Sequence, residues 1–405
     1  LATNKIFNDP VYGFVSIPYG ILFDLVEHPY FQRLRQIKQV SMTHYVYPGA
    51  LHTRFHHALG ALHLMTQVIE VLKGKNIDIT DSEAEAVCIA ILLHDIGHGP
   101  FSHTLEKTLI NVHHEELSNL FMEQLNEEFE GRLSLAIQIF NDQHPKKFLH
   151  QLVSGQLDMD RMDYLNRDSF FTGVSEGVIG YDRIIKMLNV KEGELVVEEK
   201  GIYSIEKFLI ARRLMYWQVY LHKTVLAVEQ MLIRMLQRAK ELTRNGVIFN
   251  ISPSLDFFLH QDFSSIDFQS NRNILLYHFA LLDDVDIMAA AKYMMHHEDK
   301  LLAYLAKGIV QRKLFKLILR NDPFDPSYVQ YVKDSIMKST GFTPEEVNYL
   351  VFTGTESNRT YSTSKDEIKI LFKSGEVRRM SQIQEYNMQS NIITKHYLCY
   401  PKGII

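Results

Sequence analysis

The feature that most constrains this chain is His94-Asp95, set directly after eight apolar residues, Ala86 to Leu93. A stretch that is apolar on nearly every face belongs at the centre of a fold. An adjacent imidazole and carboxylate at its end are costly there unless something satisfies them. A divalent metal does so, because neutral imidazole and carboxylate are both good ligands. Two neighbours cannot complete a coordination shell. His57, in Arg54-Phe55-His56-His57, and Asp160, in the run Leu157 to Tyr164, each lie in a helical pattern. One His, one His-Asp pair and one Asp from separate helices can converge on a single ion in a helical bundle. Singly each is ordinary: a His-Asp pair is usually a surface hydrogen bond, and Asp160 alone reads equally as a helix cap. The histidine distribution favours the joint reading. Ten of the 19 histidines lie between His44 and His114, where even spacing would put about three, and clustered His points to metal or proton chemistry.

The 405 residues suffice for two or three core-sized units. With 46% hydrophobic and 22% charged residues, extensive disorder is excluded. Lys and Arg number 43 against 48 Asp and Glu, a net charge of −5. That balance argues against nucleic-acid coating but leaves room for a local basic pocket for a small anion. Cys88 and Cys399 are far apart, so no disulfide framework is expected and a reducing cytoplasm is the simplest home. No apolar run approaches the ~18–20 residues of a membrane span. The opening Leu1-Ala2-Thr3-Asn4-Lys5 lacks the order of a secretory signal.

Patterning predicts a mainly α protein. Short extended segments at Lys5 to Phe7 and Tyr12 to Ile17 flank the turn signal Asn8-Asp9-Pro10. Helices are expected over 21–40, 53–72, 82–93 (capped by Asp81 or Ser82), 114–129, 131–141, 145–153, 158–168 and 206–243. Leu195-Val196-Val197, Lys200-Gly201 and Ile202-Tyr203 read as a β-hairpin. Beyond about Asn245, 250–270 is turn-rich and 271–322 helical. Asp322 to Pro326 is a break, and Thr343-Pro344-Glu345-Glu346 reads as a capping box. Short strands follow at 348–355, 367–372 and 396–400. The expected organisation is a helical core over 1–245 and a mixed α+β region over 246–405, packed on the core and serving assembly.

The pattern His57 … His94-Asp95 … Asp160 resembles the H…HD…D signature of the HD-domain phosphohydrolases. Phe31 to Arg35, Ile37-Lys38-Gln39, Tyr47 to Ala50 and the run His94 to His103 resemble one branch of it, the deoxynucleoside triphosphate triphosphohydrolases. The likeness is dense over about 5–240. It implies a multi-helix HD bundle with short β-hairpin insertions, and metal ligation by His57, His94, Asp95 and Asp160. It implies catalytic roles for His98, His103 and His114. Glu106 stands where the family has Asp, and a His–carboxylate pair suits proton transfer to a leaving oxygen. Arg54, Arg161 (a lysine in the animal relative) and Arg212 would hold phosphates. Gln39, Tyr164, Asp168 and Tyr220 would meet phosphate and sugar, with a tyrosine under the sugar C2′ excluding ribose. Gln32 and Arg35 match a guanine-recognising effector site, with Glu27 where that site has Asp. The implied reaction splits a deoxynucleoside triphosphate into deoxynucleoside and inorganic triphosphate, controlling nucleotide pools. It would use Fe, Mn, Zn, Ni or Mg at the His/Asp site and Mg at the phosphates. Implied partners are dGTP or GTP as effector and further copies of the chain, as dimers or tetramers, but no membrane and no nucleic acid. The competing readings are a 5′-nucleotidase or phosphodiesterase of the same superfamily, and a nucleotide sensor or nucleic-acid-binding module with residual catalysis.

Overall fold

The computed structural model describes residues 4–106, 108–358, 367–383 and 393–404. The chain opens with an antiparallel hairpin, β1 (Asn4–Asp9) and β2 (Gly13–Pro18), whose turn is tied by Asp9 Oδ1 accepting from the amides of Val11 and Tyr12 at 2.9 and 3.0 Å. The helix predicted over 21–40 is instead α1 (Ile21–Glu27), α2 (Pro29–Gln32) and a 3-10 turn Arg33–Gln36. Pro29 is the reason. It forces His28 into an extended backbone (ψ 138°) and restarts the helix at its own first position.

α3 (Arg54–Gly74) and α4 (Asp81–Leu93) pack against each other as the central pair. The N-cap of α4 is Thr80, not Asp81 or Ser82. Its hydroxyl accepts from the Glu83 amide at 3.2 Å, and Glu83 accepts from the Thr80 amide at 2.8 Å. Then come α5 (His114–Glu128), α6 (Ser134–Phe140), α7 (Lys147–Val153), α8 (Met159–Thr172) and α9 (Tyr181–Met187). The predicted hairpin lies one strand earlier: β3 (Leu188–Lys191) pairs with β4 (Glu194–Glu198) around Glu192-Gly193, and Lys200-Gly201 leads into a helix. Gly193, at φ +79°, takes the left-handed turn position that glycine supplies without strain. The helix predicted over 206–243 is interrupted. α10 (Ile202–Met215) runs into a π turn, Tyr216–Tyr220, where the Leu221 amide reaches Tyr216 O at 2.7 Å, and α11 (Lys223–Arg244) starts anew.

The segment 250–270, read as turns, contains α12 (Pro253–His260) and α13 (Ser265–Ser270). α14 (Arg272–Ala280), α15 (Asp284–Met294) and α16 (Lys300–Val310) follow, but this region ends in a strand, β5 (Lys316–Arg320). Next are α17 (Pro326–Thr340), α18 (Pro344–Leu350) with its Thr343 capping box, β6 (Phe352–Asn358), β7 (Lys369–Leu371), β8 (Val377–Arg379) and β9 (Ile393–Tyr400). β9 lies between β5 and β6, antiparallel to both, and β7 joins β4 in parallel. One apolar cluster takes in Leu92, Met162 and Leu165 together with Leu276, Leu302 and Leu398, so the core continues across residue 245. The fold is mainly helical, with small sheets and a mixed C-terminal region. Among the described residues no helix is long and apolar enough to cross a membrane.

Candidate metal centre and cavity

Three elements deliver the donors, of which Asp160 is only half-buried. His57 lies on the first turn of α3, one residue short of a full turn after Arg54. His94 caps the C-terminus of α4 and Asp95 follows it. Asp158 caps α8 by accepting from the Arg161 amide at 2.7 Å, which sets Asp160 in the first turn. His57 Nε2 lies 3.4 Å from His94 Nε2, 3.1 Å from Asp160 Oδ1 and 3.6 Å from Asp95 Oδ2. His94 Nε2 lies 3.5 Å from Asp160 Oδ1 and 3.4 Å from Asp95 Oδ1.

The donor chemistry fits a divalent ion. His57 Nδ1 sits 2.7 Å from Asp163 Oδ2, and His94 Nδ1 sits 2.6 Å from the Ile91 carbonyl. A carbonyl or carboxylate partner places the ring proton on Nδ1. Both Nε2 atoms therefore face the same space as two carboxylates, an arrangement that suits a divalent cation. The field at His57 attracts a cation. Burial opposes charge on His57, but hydrogen bonds to Asp160 and Asp163 outweigh it and raise its pKa to about 10, so a proton and a metal ion compete for Nε2. Burial likewise opposes ionisation of Asp95, yet Arg54, His94 and His98 hold its pKa well below the usual range.

This group opens into a cavity of about 520 Å³. Arg54, Asp95, His98, His103, His114 and Asp160 line it together with Gln39, Tyr164, Asp168 and Tyr220. Arg54 ion-pairs with Asp95 and donates from Nε to Ser102 Oγ at 2.8 Å. His98 Nε2 is 3.2 Å from Asp95 Oδ1. Burial, reinforced by Arg54, drives the His98 pKa well down, so its ring stays neutral. Glu106 ties two further histidines: His103 Nδ1 to Oε2 at 3.1 Å, and His114 Nδ1 to Oε1 at 3.2 Å. Burial disfavours its charge, but these bonds keep its pKa far below the usual carboxylate range. His114 faces the cavity, while His113 caps α5 and is exposed.

Both oxygens of Asp168 are taken, by His52 Nε2 at 2.7 Å and the Tyr220 hydroxyl at 2.6 Å, so it braces the tyrosine at the π turn. Gln39 keeps a buried Oε1 without a hydrogen-bond partner. Arg161 and Arg212 are not among the cavity-lining residues. Arg161 is paired with Asp158, and the buried Arg212 reaches Gln156 Oε1 at 3.4 Å. Away from the cavity lining, Arg35 Nε donates to Gln32 Oε1 at 2.8 Å, Gln32 donates to the Val26 carbonyl at 2.7 Å, and Glu27 is exposed.

Sequence reasoning missed Asp163, His52, Ser102, Glu229 and Asp284. Asp163 carried a usable signal, four residues before Arg167 on one helix face. Asp284 carried none. It comes from the N-terminus of α15 to accept from the amides of Lys38 at 3.0 Å and Phe101 at 2.7 Å, beside the cavity loop. Phe101 and Ser102 both take left-handed backbones there, at φ 52° and 54°.

Models of two families match the chain: the HD domain over residues 54–168 and the HD associated region over 179–248. A solved phosphohydrolase from Bacteroides thetaiotaomicron is 52% identical with a TM-score of 0.95, covering 98% of this chain and 100% of that one. The uncharacterized protein YwfO of Bacillus subtilis is 31% identical over all of this chain and 94% of its own length. The human deoxynucleoside triphosphate triphosphohydrolase SAMHD1 is 27% identical across 63% of this chain, which spans 48% of that relative. Fold, donor group and relatives agree: the chain belongs to the HD-domain phosphohydrolase superfamily.

Proposed function

We propose that the chain hydrolyses deoxynucleoside triphosphates to deoxynucleoside and inorganic triphosphate. The observation that most supports this reading is one cavity joining the His/Asp donor group to a braced tyrosine and an unpartnered glutamine acceptor. Its volume suits a nucleotide-sized ligand. The triphosphohydrolase names of relatives such as SAMHD1 support the same substrate class.

A divalent ion held by His57, His94, Asp95 and Asp160 would supply Lewis acidity, activating water and offsetting phosphoryl charge. Arg54, fixed by Asp95 and Ser102, presents a guanidinium to the phosphates. Neutral His98 spends its one N–H on Asp95 and so fixes that carboxylate beside the ion and the phosphates. His103 and His114, coupled through Glu106, carry the proton to the departing 5′-oxygen. Gln39 Oε1 accepts from a sugar hydroxyl, and Tyr220, held by Asp168, closes on the ring and leaves no room for a 2′-hydroxyl. Assembly into dimers or tetramers, activation by a guanine nucleotide at Gln32 and Arg35, and a cytoplasmic home belong to the same proposal.

The test incubates metal-replete protein with the four dNTPs, with and without added dGTP, and separates products by chromatography. A His94→Ala/Asp95→Ala double variant is the control. Deoxynucleoside with intact triphosphate, lost in the control, is the expected result. Turnover of monophosphates but not triphosphates would replace the proposal with a nucleotidase.

A further inference from the structure

Behind His57, on the side away from the cavity, stands a buried charged chain. Asp163 Oδ2 is 2.7 Å from His57 Nδ1. Arg167 grips the same carboxylate with two bonds, Nε to Oδ2 at 2.9 Å and a terminal nitrogen to Oδ1 at 3.0 Å. Its other terminal nitrogen donates to Asp9 Oδ2 at 2.7 Å. Arg167 and Asp163 are fully buried and Asp9 nearly so. Taking three charges out of water costs more than a simple structural pairing returns, and apolar packing of equal volume often does as well. The fold has also made room for them. A Cβ on Gly60 of α3 would stand 2.0 Å from Asp163 Oδ1 and 2.1 Å from Arg167.

We infer that Asp9, Arg167 and Asp163 are positioning residues that hold His57 in its metal-ligating form, which makes the N-terminal hairpin a working part of the metal centre. The chemistry runs in one direction. Asp163 only accepts, so it keeps the ring proton on Nδ1 and leaves the Nε2 lone pair toward Asp160. The two-bond grip of Arg167 fixes the carboxylate plane and so the ring plane of His57. Asp9 fixes the guanidinium from the far side. The other oxygen of Asp9 ties the β1–β2 turn, so turn geometry and guanidinium position are set by one carboxylate.

The test uses the full chain and Mn²⁺ as probe, with affinity measured by chelator competition and stability by thermal unfolding of the metal-free protein. Asp163→Asn can turn its amide N–H toward His57 Nδ1 and push the ring proton to Nε2. The expected loss of Mn²⁺ affinity is about 10–100-fold. Asp9→Asn retains the oxygen that ties the turn but removes the charge, and should weaken Mn²⁺ in the same direction by a smaller factor. It serves alone if Asp163→Asn does not fold. Asp299→Asn, which breaks a distant pair with Arg238, controls for lost stability. Wild-type affinity in the folded Asp variants overturns the inference. So does a loss no greater than that of Asp299→Asn, or absence of Mn²⁺ binding by the wild type. None of these outcomes depends on which phosphoester is the substrate, so failure of the proposed reaction would be seen separately.

Discussion

Gly97→Ala isolates how closely the cavity loop must seat. Gly97 follows His94-Asp95 by two residues, and its amide donates to Ser118 Oγ at 2.9 Å, while that hydroxyl donates to the His94 carbonyl at 2.7 Å. A Cβ there would lie 2.3 Å from His114 O and 2.3 Å from the Ser118 amide nitrogen. Both are backbone atoms of α5 and cannot swing aside. Reaching the ordinary contact distance of 3.4 Å requires the loop and α5 to part by about 1 Å. That displacement separates the His94-Asp95 end of α4 from His114, on α5. Overpacking of this kind costs about 1–3 kcal/mol of stability, and a 1 Å misplacement of reacting groups can cost about 100-fold in rate. The assay pairs thermal unfolding with initial rates on the proposed dNTP substrate. A folded Gly97→Ala protein with wild-type turnover would refute the reasoning, since the methyl would have been absorbed without moving the histidines apart.

Asp284→Ala should leave the Lys38 and Phe101 amides unpaired and cost about 2 kcal/mol or more, with turnover falling as the left-handed Phe101-Ser102 turn relaxes; calorimetry and rates together check it. Glu106→Gln should lower turnover about 100-fold with little change in Mn²⁺ affinity; an equal loss of metal would contradict the division of roles. Glu229 lines the cavity, and burial raises its pKa to about 7 against hydrogen bonds from Ser41 and Thr104. A folded-state pKa above the unfolded value of about 4.3 means that the stability it confers is fully present below that value and is lost as pH rises toward 7. Glu229→Gln removes this penalty, so its melting temperature relative to wild type should climb between pH 5 and pH 8; a constant difference would count against it. Chelation should lower the melting temperature and Mn²⁺ at about 100 times its Kd should restore roughly 2.7 kcal/mol.

The donor group was legible only as a set: His57, His94-Asp95 and Asp160 are ordinary singly, and their order, the apolar helix before His94 and the resemblance they carry made the joint reading. Helices with strong periodicity were legible too. What escaped is instructive. The break after Glu27 was written in Pro29, but the apolar spacing on both sides masked it. The π turn at Tyr216–Tyr220 leaves no mark in composition, since it changes one hydrogen-bond step while the apolar spacing continues. β5 reads as a helix because Lys316 to Arg320 carry apolar residues that a buried strand and a helix share. Asp168 was visible on the face of Asp160, yet only coordinates reveal that its oxygens serve His52 and Tyr220 rather than open space. Asp284 lies nearly 250 residues from the Lys38 amide it accepts from, beyond any local pattern.

That distant carboxylate bears on how the protein can be divided. Every residue assigned here to the ion, the phosphates or the sugar precedes residue 245, so a truncated version would look chemically complete on paper. Asp284 and Glu356, from α15 and β6, complete the loop anchor and the cavity wall. Shortened forms and chimaeras joined at that point would inherit the reagents without the vessel.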